Sequence, residues 1–220
     1  MREMQWLLHP SSQQGVAMRG DWYVLMVVGA AVGAYVYGAI FWCLLAYRRR
    51  PGRAPATFSG NTPLEIVYVA LPLAIVILLF AFTMAVERPV DRVSAEPQNV
   101  VTVTAYRWSW RFAYQRGGVT VAGTPQQPPV LYLPLDSETE IRLMSADVTH
   151  SFWIPAFLFK RDAIPGMTNV FDLRPTRLGA FPARCAQFCG LDHALMTFTA
   201  KVVSRAAFER YLATHGKALP

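Results

Sequence analysis

The sequence predicts a two-helix transmembrane hairpin followed by an all-β extracytoplasmic domain. Three observations carry that prediction: two long runs without a charged residue at 22–46 and 66–86, an arginine cluster between them, and a change of character after position 87. Each uncharged run exceeds the roughly 20 residues that a helix needs to cross the hydrocarbon layer. A hydrophobic share of 53% in 220 residues fits a membrane class. The expected organisation is an N-terminal arm at 1–21, a hairpin at 22–86 with its loop at 47–65, and an outer domain at 87–220.

The loop carries Arg48, Arg49, Arg50 and Arg53 with no acid before Glu65, whereas the arm offers only Arg2, Glu3, Arg19 and Asp21. Positive-inside bias places the loop in the cytoplasm and both termini outside it, which in a bacterium means an inner-membrane protein with a periplasmic outer domain. No cleavable signal is read in 1–20, where Trp6-Leu7-Leu8 is followed by polar Ser11-Ser12-Gln13-Gln14. Gly29 and Gly33 suit close helix packing, although small residues are common in membrane helices. Glu65, at the cytoplasmic mouth of the second helix, reads as a snorkelling anchor or as part of an ion path. Pro72 removes a backbone hydrogen bond and invites a kink. Cys43, inside the first helix, reads as a small apolar residue.

After Glu87 come short β-branched and aromatic runs separated by Gly, Pro and Asp, the spacing of an antiparallel sandwich or barrel. Val101, Val103 and Ala105 alternate with Thr102 and Thr104. Trp108, Trp110, Phe112 and Tyr114 then share one face, with Arg107, Ser109 and Arg111 on the other. Gly117-Gly118 ends that strand. Further strands are expected at 130–135, 139–144, 168–173 and 197–203, with a proline-rich connector at 125–129 and an amphipathic helix at 204–215. Residues 87–220 have fifteen Lys and Arg against eleven Asp and Glu. Their mild positive excess is dispersed, which argues against nucleic acid as a partner.

Residues 185–196 read Cys-Ala-Gln-Phe-Cys-Gly-Leu-Asp-His-Ala-Leu-Met, in a chain with only three Cys and four His. Two thiols are by default a disulfide in an oxidising compartment. That reading leaves His193 and Met196 unexplained, so the cluster favours a metal. Zinc competes, but its structural loops use shorter thiol spacing and do not recruit Met. Cys185, Cys189, His193 and Met196 form a soft donor set that suits copper. Gly190 supplies a sharp turn within the loop. A second imidazole must come from elsewhere, and of His9, His150 and His215 only His150 lies in a strand-like stretch.

Asp147-Val-Thr-His150-Ser-Phe-Trp-Ile-Pro155, Asp162-Ala-Ile-Pro-Gly166 and the 185–196 loop together resemble three successive signatures of cytochrome c oxidase subunit II. Arg107-Trp108-Ser109-Trp110 is similar to that family's aromatic strand, and Asn61-Thr-Pro-Leu-Glu65 to its lead into the second helix. The resemblance implies a cupredoxin-like, Greek-key β-barrel holding a dinuclear copper centre, CuA, bridged by Cys185 and Cys189. It implies His150 and Met196 as further ligands of one copper, and His193 with the backbone carbonyl of Gln187 as those of the other. Phe152, Trp153 and Phe188 would form an apolar shell around the centre. Trp108 matches the tryptophan through which an electron enters, and Glu65 the carboxylate at a proton-channel mouth. The implied partners are oxidase subunits I and III, membrane lipid and a separate cytochrome c, since the chain has no Cys-x-x-Cys-His haem attachment sequence.

Two departures stand out. Gln187 occupies a position where the family often has Glu, so a magnesium site at the subunit I interface is put in doubt: a neutral amide is a weaker magnesium ligand than a carboxylate. Asp162 could still contribute to a polar network there. The domain is also not acidic, so docking of a basic cytochrome would rely on an apolar patch with local acids such as Asp147, Asp172 and Asp192. A quinol oxidase subunit would have lost the copper ligands. The alternatives that keep them are a nitric oxide reductase subunit bearing CuA and a membrane-tethered copper carrier or sensor.

Overall fold

The computed structural model describes residues 9–48, 51–52 and 60–215. Arg2, Glu3, Arg49, Arg50 and Arg53, on which part of the orientation argument rests, lie outside the described residues. Helix α1 spans Gln13–Ala46 and α2 spans Thr62–Val90, and both are long and apolar enough to cross a membrane. The chain divides into a helical unit within 20–87 and an outer unit that joins the residues from Arg88 onward to the described part of the arm up to Arg19.

α1 begins nine residues before the uncharged run because Ser12 caps it. The Ser12 Oγ accepts the Gly15 N–H at 3.0 Å and itself donates to the Phe157 carbonyl at 2.9 Å. The arm is tied to the outer domain by Ser11 N–H to Ala156 O (2.7 Å), Thr176 N–H to Ser11 O (2.9 Å) and Gln13 N–H to Arg174 O (3.0 Å). A Cβ at Gly15 would lie 2.4 Å from the Phe157 carbonyl oxygen, so only glycine lets the helix start this close. Absence of charge reports exposure to lipid, not helix length, and that is why the sequence placed the start late.

α2 opens on Asn61, whose Oδ1 accepts the Leu64 N–H at 3.3 Å while Glu65 Oε1 accepts the Asn61 N–H at 3.2 Å. This reciprocal cap is a structural role for Glu65 that the sequence reading did not include. The helix runs unbroken through Pro72. Within the helical unit, Thr83 Oγ1 donates to Asp21 Oδ1 at 3.1 Å. A Cβ at Gly29 or Gly33 would meet nothing within 4 Å, so neither glycine serves a close approach to the described part of this chain.

The described residues of the outer unit form ten strands: β1 Asn99–Tyr106, β2 Ser109–Tyr114, β3 Thr120–Ala122, β4 Val130–Pro134, β5 Thr139–Ser145, β6 His150–Ile154, β7 Phe159–Ala163, β8 Asn169–Leu173, β9 Gly179–Cys185 and β10 Thr197–Val203. A short helix, α3, spans Arg205–His215. The strands form two five-stranded sheets, ordered β3-β2-β1-β5-β8 and β4-β10-β9-β6-β7. The all-β expectation holds, but the sheets are mixed and not purely antiparallel: β1 pairs with β5, and β10 with β4, in parallel. Side-chain alternation reveals which face is buried and says nothing about strand direction.

β1 alternates as expected, with Val101, Val103 and Ala105 fully buried. On β2, Trp110, Phe112 and Tyr114 face the core, while Trp108 sits in the β1–β2 turn and off the strand. Phe198 of β10 links the sheets: its ring lies 5.3 Å from Trp110, 5.5 Å from Phe112 and 5.0 Å from Phe152. Truncation at this junction leaves a cavity touching both sheets, so Phe198→Ala is expected to cost about 3–5 kcal/mol, read as a fall in the denaturant midpoint. A cost below about 1 kcal/mol would show that Phe198 does not tie the sheets together.

Candidate metal centre

The 185–196 stretch is the loop of the β9–β10 hairpin. The two strands pair up to Arg184 and Thr197, and the Cys185 N–H donates to the Met196 carbonyl at 2.9 Å, closing the loop's base. His150 begins β6, whose Phe152 pairs directly with Cys185. The hairpin and its neighbouring strand therefore bring the loop and the distant imidazole together.

Cys185 Sγ lies 3.9 Å from Cys189 Sγ, 3.9 Å from His150 Nδ1 and 3.2 Å from the Gln187 carbonyl oxygen. Cys189 Sγ lies 3.5 Å from His193 Nδ1 and 3.7 Å from Met196 Sδ. All six sequence-predicted donors thus converge on the two sulfurs. The S–S separation is far from the roughly 2.05 Å of a disulfide, and both thiols are free. The donor atoms of His150, Cys185 and Cys189 lie within 4.8 Å of one another. His150 and Met196 are fully buried, Cys185 is 4% exposed and Cys189 6%. Gln187 is exposed, as a residue that offers only its carbonyl can be.

Asp147 orients the imidazole. Its Oδ1 is 2.8 Å from His150 Nε2, so a proton on Nε2 leaves Nδ1 free to face Cys185. Asp147 also accepts the Arg107 N–H at 2.7 Å and the Val148 N–H at 2.6 Å. Burial works against its charge, but the hydrogen bonds from His150, Arg107 and Val148 hold the carboxyl at about 2. Burial likewise opposes charge on Cys185 and His150, yet their mutual contact wins, holding the Cys185 thiol below its usual range and the imidazole above its own. Cys189 is pushed up to about 12 by burial and by Cys185 beside it.

Trp108 is placed on the loop itself: its Nε1–H donates to the Cys189 carbonyl at 3.1 Å. Gly190 has φ +123°, and a Cβ there would lie 3.1 Å from Trp108 Nε1. The sequence marked Gly190 for a turn; the structure adds that the glycine lets the indole approach the loop backbone. Trp110 packs behind the site, its ring 6.4 Å from that of His150.

The apolar shell differs from expectation. Phe152 is fully buried, but Phe188 is 79% exposed and meets His193 edge-on at 5.8 Å, and Trp153 lies under the Arg184 guanidinium, 5.4 Å away. Asp172 is 4% exposed, so it is not a surface acid for a docking partner; Asp147 is committed to His150 and Arg107. Exposed Asp162 has its backbone carbonyl bonded to Asn169 Nδ2 at 2.6 Å. Glu65 belongs to the helical unit, where it caps α2. Asp147 is the site residue whose role the sequence reading missed, and its signal was the Asp-x-x-His spacing.

Residues 126–203 match the family described as "Cytochrome C oxidase subunit II, periplasmic domain". "Cytochrome c oxidase subunit 2" of Mycobacterium tuberculosis is 30% identical over 251 residues, covering 87% of this chain and 69% of that protein. The chain belongs to the cytochrome c oxidase subunit II family. Within the subunit II family, "Cytochrome c oxidase subunit 2" of Corynebacterium glutamicum is 31% identical over 260 residues, covering 90% and 72%. The crystal structure of the periplasmic domain of subunit II of the Bradyrhizobium japonicum cytochrome oxidase is similar at TM-score 0.53 and 27% identity, over 58% of this chain and all of that one. The outer unit accordingly has the subunit II cupredoxin-like fold, and the family implies copper. The donor set fits copper: two free buried thiols, two imidazoles, a thioether and a carbonyl gather in one place.

Proposed function

We propose that this chain is the electron-accepting subunit of a proton-pumping terminal oxidase, taking electrons from a separate cytochrome c and passing them to haem in subunit I, within a complex that also contains subunit III. The observation that carries the reading is the convergence of His150, Cys185, the Gln187 carbonyl, Cys189, His193 and Met196. These residues would hold a dinuclear copper centre, CuA, which supplies a one-electron relay whose charge is shared over two metals. Cys185 and Cys189 would supply its two thiolate donors. Asp147 fixes the His150 ring, and the closed hairpin base fixes the loop, so the donors need little rearrangement between redox states. Burial of Cys185, Cys189 and Met196 argues against an exchanging copper carrier, which needs accessible ligands.

The Trp108 indole, hydrogen-bonded to the Cys189 carbonyl, supports electron arrival through this side chain. Trp108→Phe keeps an aromatic ring but loses that bond. It is expected to slow cytochrome c oxidation by the assembled complex about tenfold or more in kcat/KM, with copper content unchanged. Unaltered kinetics would remove Trp108 from the path.

The docking of the arm on the outer domain supports an orientation with both on one face of the membrane and the arginine-rich loop on the other. We assign Glu65 a second role beside its cap, at the mouth of a proton path. Glu65→Gln retains an oxygen for the Asn61 N–H and so preserves the cap, but it cannot carry a proton. Oxygen consumption is expected to fall about tenfold or more; wild-type turnover would leave Glu65 with the cap alone. Gln187 offers a neutral amide where a carboxylate would serve magnesium, and no magnesium site is proposed.

A further inference from the structure

A cavity of about 450 Å³ opens in the outer unit, away from the metal-site residues and lined by Gln13, Pro89, Arg92, Ser94, Glu138 and Asp172 among others. Its size falls in the range of small-molecule sites, about 300–1,000 Å³. One wall belongs to the first turns of α1 and another to the residues that end and follow α2. The chain therefore runs directly from these walls into both apolar helices.

The lining is charged at both signs. Asp172 is 4% exposed; its Oδ2 accepts the Ser94 N–H at 2.7 Å, and its Oδ1 is buried without a hydrogen-bond partner. An unsatisfied buried carboxylate oxygen costs free energy unless a donor from outside the chain meets it. Burial, and then the nearby carboxylates of Glu138 and Glu140, push the Asp172 carboxyl up against the opposing effect of Ser94, and a positive charge placed there would relieve that crowding. Glu140 is already paired with Arg142 at 2.6 Å, whereas Glu138 and Asp172 both line the cavity. Arg92, exposed, contributes the opposite charge.

We propose that this cavity binds the headgroup of a zwitterionic phospholipid of the phosphatidylethanolamine class, with its primary ammonium meeting the Asp172 carboxyl group near Glu138 and its phosphate facing Arg92. The reading depends on membrane insertion of α1 and α2 and not on copper. A primary ammonium has N–H donors to offer Asp172; the quaternary ammonium of phosphatidylcholine has none, and phosphatidylglycerol brings no cation. Recognition therefore separates these three headgroups.

The test is native mass spectrometry of the full chain in detergent micelles, titrated with each lipid. Phosphatidylethanolamine is expected to bind about tenfold tighter than the other two. Asp172→Asn and Glu138→Gln should each remove most of that preference, and Arg92→Gln should weaken binding severalfold. Glu138→Gln and Arg92→Gln change positions that are not fully buried, so they carry the test if Asp172→Asn fails to fold. Soluble glycerophosphoethanolamine at equal concentration should not displace the lipid. Equal binding of the three lipids, an undiminished preference in Glu138→Gln, or displacement by the soluble headgroup would each overturn the proposal.

Discussion

Cys185→Ser is expected to abolish the proposed dinuclear centre and to leave the outer unit folded. The hydroxyl is smaller than the thiol and can still donate to the Gln187 carbonyl now 3.2 Å from Cys185 Sγ, so the stability cost is about 1–2 kcal/mol. Its oxygen is a hard donor that stays protonated near neutral pH, so a soft thiolate donor is lost outright. Copper per chain measured after loading should fall to half or less, and electron uptake from cytochrome c should cease. Wild-type copper content in Cys185→Ser would remove this residue from the ligand set.

Asp147→Asn is expected to weaken copper binding about 10–100-fold while every ligand remains in place. The carboxylate now receives His150 Nε2, the Arg107 N–H and the Val148 N–H together. A neutral amide weakens that orientation and can present its NH₂ where His150 needs an acceptor. Competition against a copper chelator measures the change; a shift under twofold would mean that packing against Trp110 alone orients the ring. The pH dependence has a definite sign. Because the native carboxyl sits at about 2, below its ordinary 3.8, its contribution to stability is present above that ordinary value and is lost as pH falls from there towards 2.

Much of the site was legible because its chemistry is local. Five of the six donors lie within one loop, and soft side chains at close spacing have few other uses. His150 was found through its strand-like surroundings and the resemblance, but its positioning by Asp147 depends on the turn before β6, where Ser145 Oγ also donates to the Val148 carbonyl. Trp108 was singled out by motif position and placed on the wrong element: period-two counting continued through a turn, and only the close approach of Gly190 reveals where its ring goes.

The fold was legible wherever one face of a strand is buried and the other is not, as in β1. β9 was missed because Pro182 and Gly179 resemble loop residues. The strand tolerates Pro182 because its pairing with β6 covers only Arg184 and Cys185, so the proline lies on a stretch paired only with β10. β6 and β7 are apolar and mixed runs without strict alternation, since β6 is buried along nearly its whole length. Ser11 and Ser12 read as polar residues that speak only against a cleavable signal, yet both are fully buried. Their hydrogen bonds to Ala156, Thr176 and Phe157 join residues more than a hundred positions apart, which no local pattern encodes.

The most direct test of the central claim is metal analysis combined with electron paramagnetic resonance on the copper-loaded full chain. Two coppers per chain are expected, with a hyperfine pattern from one unpaired electron shared equally by two copper nuclei that is lost in Cys185→Ser. A single copper with the signal of an isolated Cu(II) ion, bound zinc without a copper signal, or a Cys185–Cys189 disulfide that takes up no metal would contradict it.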